Sequence, residues 1–344
     1  MFHHRVGQIL SQRTVTGKAG DLIGHSREGR PIHAFRFGRG EARISLLAGC
    51  HADEPVGPRL LRHLVGYLGS LPPDDPMLND FQWWVVPDIN PDGAERNRLW
   101  QVEDASVYDL GSYLAHAVRE LPGDDIEFGF PRADDDAGTR PENRAVFDWW
   151  RENEFGFALH VSLHGMGFAA GPWFLIEEAW KDRCSLLKQR CVEKVRSMEY
   201  VLHDVERNGE KGFFRLGRGF CTRPDSRYMQ EHFLGIGDLE TAELFRPSSM
   251  ETVRSLGRDA LTLVSEMPLF ITPGVGEQLG PPDPVAVEWK EHIEVWKLDL
   301  REGADPAEID SAASAHGLTP MPTRDQMVLQ WAFINAGLEQ IAFS

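Results

Sequence analysis

"LLAGCHADEPVGPRLLRHLVGYL", residues 46–68, passes from an apolar, strand-like run through His51 and Glu54 into a helical pattern at 57–69. Pro55 and Pro58 suit a helix start. A strand that hands over to a helix through polar residues belongs to an α/β sheet, where ligands gather at the carboxyl ends of strands. His51 and Glu54 are thus either part of a polar turn or a pair of metal ligands.

The surrounding sequence repeats the alternation. Further strands are expected at 32–37, 43–49, 81–87, 157–163, 173–177 and 233–239, and helices at 107–121, 141–154, 178–198 and 249–267. This predicts an α/β fold, a mixed, mostly parallel twisted sheet with helices on both faces. Residues 1–270 form the expected main domain. Beyond a Pro/Gly-rich link, residues 271–344 read as a small C-terminal appendage, with a short alternating segment at 292–300 and helices near 305–316 and 323–342. Trp289, Trp296, Trp331 and Phe333 would be costly to expose, so the appendage is expected to pack on the main domain.

Composition narrows the function. A net charge of -17 argues against nucleic acid and anionic membranes as partners. The absence of a long apolar run or a leader-like core makes a cytoplasmic location the expectation. The 4 cysteines lack disulfide-framework or zinc-knuckle spacing and read as reduced, buried thiols. Oligomeric state is not legible.

His-x-x-Glu occurs three times, at His25/Glu28, His51/Glu54 and His203/Glu206, but only His51/Glu54 follows a strand expected to be buried. The other expected strand ends carry Asn90 and Asp92, His164, and Glu240. Two histidines and one carboxylate are a common catalytic zinc set, and a further carboxylate serves as proton acceptor. His160 shares a strand face with His164 and is read as structural. Asn90 and Asp92, in Asn-Pro-Asp-Gly, are read as turn chemistry rather than catalysis.

Five stretches in order over residues 20–265 resemble the M14 family of zinc carboxypeptidases: "IGHSREGRPIHAFRFG" (23–38), "LLAGCHADEPVG" (46–57), "WWVVPDINPDGAERNRLW" (83–100), "FALHVSLHGMG" (157–167) and "GIGDLETAE" (235–243). The resemblance implies one Zn2+ held by His51, Glu54 and His164, with Glu240 moving the proton. It implies an arginine at the developing oxyanion, for which Arg98 is the candidate; alignment on Trp100 would place Gln101 there instead. Tyr228 is the candidate for the family's mobile tyrosine, or else a packing aromatic.

One motif departs from the family. Where an Asn-Arg pair usually grips the substrate carboxylate, "DDIEFGFPR" (124–132) places Glu127 and Phe128. Residues 103–136 hold ten acids against two arginines, so Glu127 is either part of a solvated acidic loop or the anchor for a cationic substrate group. Arg132, Arg140 or Arg144 could instead restore carboxylate recognition. The expected activity is zinc-dependent cleavage of an amide bond in a small peptide or amino-acid-derived substrate. An aspartoacylase-like deacylase and a catalytically silent zinc-binding relative are the alternatives.

Overall fold

In the computed structural model, residues 1–12, 20–257, 259–280 and 283–343 are described. Part of the N-terminal stretch read for a leader (13–19), one residue of the expected helix 249–267 (258) and two of the Pro/Gly-rich link (281–282) lie outside them. The strands are β1 (Asp21–His25), β2 (Pro31–Gly38), β3 (Ala42–Ala48), β4 (Phe81–Val86), β5 (Leu159–Ala169), β6 (Trp173–Glu177), β7 (Arg215–Gly217), β8 (Phe220–Arg223), β9 (Leu261–Ile271) and β10 (Thr319–Pro320). They join in the order β1-β2-β4-β3-β5-β9-β6-β8-β7, with β10 paired to β9. The centre, β4-β3-β5-β9, is parallel. Toward both edges the pairing turns antiparallel, except between β6 and β8, which run parallel.

The two-residue period of a strand explains why these sequences need helices on both sides. On β4, Trp83 and Val85 enter one apolar layer, while Trp84 and Val86 enter the other. The first layer is closed by the helix Val56–Ser70, which buries Leu60, Leu61, Leu64 and Leu68. The second is closed by the helix Pro141–Arg151, whose Trp149 and Trp150 pack beside Trp84 and Phe157. The helix Val56–Ser70 approaches the sheet closely at Gly57, where a Cβ would lie 2.7 Å from Leu163 O and 3.1 Å from Ala48 Cβ.

Two expectations fail here. Residues 233–239 are not a strand: they lie across the helices Ser226–Gly235 and Leu239–Leu244, started by the Asp225 and Asp238 side chains accepting from Tyr228 N and Thr241 N. The expected helix 249–267 is a short helix, Ser249–Ser255, followed by β9. Gly257, at φ +100°, follows that helix in a conformation open to glycine.

Beyond residue 270, the alternating segment 292–300 is helical, inside Pro284–Arg301. Its period-2 look comes from Trp289, Ile293 and Trp296 facing the core while Val295 and Leu298 are exposed. The helix Thr323–Ala342 packs against β9, β5 and the helix Val56–Ser70, and its Trp331, Phe333, Ile334 and Leu338 share the main apolar layer. Its Gln330 Nε2 donates to His164 O at 3.2 Å. All four cysteines are free and buried. Among the described residues, no helix is long and apolar enough to cross a membrane.

Candidate metal centre

His51 and Glu54 lie just past the end of β3, and His164 lies within the adjacent parallel strand β5. The strand does not stop at His164, as expected, but continues to Ala169. His51 Nδ1 is 2.7 Å from Glu54 Oε1, His164 Nδ1 is 3.0 Å from Glu54 Oε2, and the two Nδ1 atoms are 3.1 Å apart. Glu54 and His164 are buried, at 5% and 3% exposure, and Glu54 Oε2 accepts no hydrogen bond.

Two imidazole nitrogens and a carboxylate oxygen without a donor, converging inside a protein, fit a divalent cation. Borderline metals such as zinc take this mixture of nitrogen and oxygen donors. The electrostatics agree. Burial would raise the Glu54 carboxyl, yet His51, His164 and Arg119 hold it well below the usual range. Burial and Arg119 oppose charge on His51, but Glu54 and Asp125 push it up to about 9. The pocket is built to favour positive charge at its centre.

The outer nitrogens also have partners. His51 Nε2 is 3.4 Å from Asp125 Oδ1. His164 Nε2 is 2.8 Å from Ser162 Oγ and 3.3 Å from Glu127 Oε2. Arg119 Nη1 donates to Asp53 Oδ1 and Glu54 Oε1, each at 3.0 Å.

Residues 20–183 match the model of the family described as zinc carboxypeptidase. That segment is similar to the zinc carboxypeptidases. Carboxypeptidase M of Mus musculus is 26% identical over 187 residues, covering 49% of this chain and 40% of that protein. Carboxypeptidase D of Rattus norvegicus is 29% identical over 198 residues, 46% of this chain and 14% of that protein. An inactive metallocarboxypeptidase ecm14 of Talaromyces marneffei is 34% identical over 96 residues, 23% of this chain and 16% of that protein. The chain thus spans less than half the length of these relatives. A protein described as a metallopeptidase from Shewanella amazonensis SB2B shares the fold, with a TM-score of 0.53 at 12% identity, covering 98% of this chain and 92% of that one.

In this carboxypeptidase-like chain, Glu240 does not reach the centre. It is exposed in the first turn of the helix Leu239–Leu244, because the strand expected to deliver it does not exist. The carboxylate beside the ligands is Glu266 of β9, register partner of His164. Burial first, then the Glu54 carboxylate, push Glu266 above the usual carboxylate range. Its signal was an acid within the apolar, partly β-branched run "LTLVSEMPLFI" (261–271).

Arg98 lines a cavity of about 370 Å³ that opens onto His51 and Glu54, but it is 68% exposed and paired with Glu95 at 2.9 Å. Gln101, the alternative, lines the same cavity and donates to Ala52 O at 2.7 Å. Arg119, which the sequence reading passed over, is the arginine bonded to Glu54. Tyr228 is half-buried, packs on Phe214 and donates to Glu178 Oε2.

Glu127 is neither a solvated acid nor a free anchor. It is 6% exposed and bound to Arg223 and Ser249, so its charge is already balanced. The three arginines proposed to compensate for it are engaged elsewhere. Arg140 pairs with Glu142 at 3.0 Å, Arg132 donates to Glu243 O and Phe245 O, and Arg144 donates to Asp134 O and Asp136 O.

Asn90 and Asp92 hold the scaffold, as expected, though not only locally. Asn90 Oδ1 caps the helix Pro91–Arg96 through Gly93 N, while its Nδ2 reaches Glu120. Asp92 accepts from Ser26 Oγ, Glu28 N and Arg30 Nη1, docking the turn "GHSREGRP". His160, read as structural, sits between Ser45 Oγ and Ser249 Oγ.

Proposed function

We propose that the chain hydrolyses an amide bond in a small peptide or amino-acid-derived substrate, with one zinc ion held by His51, Glu54 and His164. Zinc in such a centre supplies Lewis acidity, drawing electron density from a carbonyl and lowering the pKa of water. Glu266 accepts a proton as water adds to the carbonyl carbon and returns it to the departing nitrogen as the C–N bond breaks, leaving an acid and an amine. Its raised affinity for protons suits both halves of that transfer. Arg119 places a guanidinium beside the same carboxylates, facing the negative charge that develops on the carbonyl oxygen. The cavity opening onto His51 and Glu54 receives the substrate.

The observation that carries this reading is the pairing of the ligand His164 with the acid Glu266 across β5 and β9. With Glu127 bound to Arg223 and Phe128 beside it, the usual Asn-Arg grip on a terminal carboxylate has no counterpart at these positions. Blocked or N-acylated substrates are therefore favoured over a free C-terminus.

The same departure, together with similarity to a relative named as inactive, supports a second reading: a zinc-binding protein without turnover. Purified protein with measured zinc content, assayed on a panel of peptides, N-acyl amino acids and blocked amides, decides between them. Turnover that disappears with a chelator and returns with zinc supports the hydrolase. Stoichiometric zinc without turnover on any substrate supports the silent reading.

A further inference from the structure

Resting on the zinc reading above, we infer that Glu127 is a positioning residue for His164, locked in place by Arg223 of β8. An imidazole that donates one N–H to a carboxylate keeps its other nitrogen as a lone-pair donor, and the hydrogen bond fixes the ring's orientation. His164 turns Nδ1 toward His51 and Glu54, and Nε2 toward Ser162 and Glu127. Asp125, two residues earlier, faces Nε2 of His51 in the same way. One short loop therefore supplies a carboxylate to each histidine. It is held rigid by Glu127 N donating to Asp125 Oδ1 at 2.8 Å.

The far side of Glu127 is equally built. Arg223, 5% exposed, donates through Nη2 to Glu127 Oε1 and, at 2.9 Å, to Ser249 Oγ. Ser249 Oγ lies 3.1 Å from Glu127 Oε1 and 3.3 Å from Oε2. Ser249 is fixed in turn by the short helix Ser249–Ser255 and by His160 Nε2 at 3.1 Å. Desolvating a carboxylate and a guanidinium is costly, and their attraction does not reliably return that cost. A buried pair kept beneath a ligand histidine is therefore better explained by the geometry it imposes than by stability. A neutral Ser162 hydroxyl shares Nε2 but carries no charge to raise the ligand's basicity.

The test is zinc affinity of the full chain, measured by competition with a chromophoric chelator, with circular dichroism confirming the fold. Glu127→Gln is expected to weaken zinc binding 10- to 100-fold and to shift the visible absorption of the cobalt(II)-loaded protein. Ser162→Ala is expected to cost less. The double variant E127Q/R223M leaves no unpaired buried charge, so it gives the same answer should E127Q fail to fold. Zinc binding by folded E127Q, or by the double variant, within twofold of the parent overturns the inference while leaving the metal centre intact. A larger loss in S162A than in E127Q also overturns it. Failure of the parent chain to bind zinc removes the zinc reading and this inference together.

Discussion

Glu266 of β9 stands directly opposite His164 of β5 in a parallel register that runs from Leu159↔Leu261 to Ala169↔Ile271. Register partners share a face of the sheet, so the acid and the imidazole are fixed together by backbone hydrogen bonds rather than by a loop. Moving the register by one residue would turn Glu266 to the opposite face.

Glu266→Gln is accordingly expected to lower kcat by about 10²- to 10⁴-fold with zinc content unchanged. Glu240→Gln, on an exposed helix, is expected to leave kcat near the parent value. Paired kinetics on the zinc-loaded proteins check this, and the opposite ranking would refute the assignment.

Arg119 and Arg98 separate in the same manner. Arg119→Met is expected to reduce kcat/KM by about 10²- to 10³-fold, as loss of an oxyanion donor does, chiefly through kcat. Arg98→Met removes an exposed pair with Glu95 at the cavity rim and is expected to change KM by a few-fold at most.

Acid should destabilise the fold through two buried histidines. Burial first, then Arg223, hold His160 down to about 3, and burial with Arg207 holds His203 down to about 4. Both have depressed folded-state pKa values, so above about 6.5 neither affects stability. As pH falls below that, the unfolded chain takes up protons that the folded chain refuses. Each histidine then costs about 2 kcal/mol between pH 7.5 and pH 5. Denaturant unfolding at both pH values measures the change, and His160→Gln should shift it by about 2 kcal/mol in favour of the acidic condition relative to the parent. An unchanged slope in that variant would contradict the argument.

Close packing under the site gives a prediction about stability. Gly57→Ala places a methyl group 2.7 Å from Leu163 O and 2.9 Å from Leu163 Cβ. The helix must shift outward, at a cost of about 1–3 kcal/mol. Calorimetry and zinc titration together should show a lower Tm and weaker metal binding, because Leu163 adjoins His164.

The clustering of His51, Glu54 and His164 was legible because each residue follows or lies on a run whose period is unambiguous. Leu46–Leu47–Ala48 before His51 and Leu159–Val161–Leu163 before His164 are fully buried strand sequences. The strand expected to carry Glu240 was misread because "FLGIGDL" (233–239) has strand-like composition, while its Asp225 and Asp238 caps act through side-chain geometry that composition does not display. The true strand was absorbed into an apolar helical pattern, and Gly257 was the overlooked punctuation. Glu127 could not have been read correctly from its surroundings. Its partner Arg223 lies ninety-six residues away, and long-range charge pairing leaves no mark on local sequence.

The bond from Gln330 to the His164 carbonyl has a consequence for biosynthesis. The helix that carries Gln330 ends at Ala342 and fills the core layer behind the centre, so a nascent chain halted before it has β5 without its cover. The ligand strand therefore reaches its final shape only after translation has passed that helix and released it from the ribosome. Metal uptake is thereby expected to wait for that helix to dock.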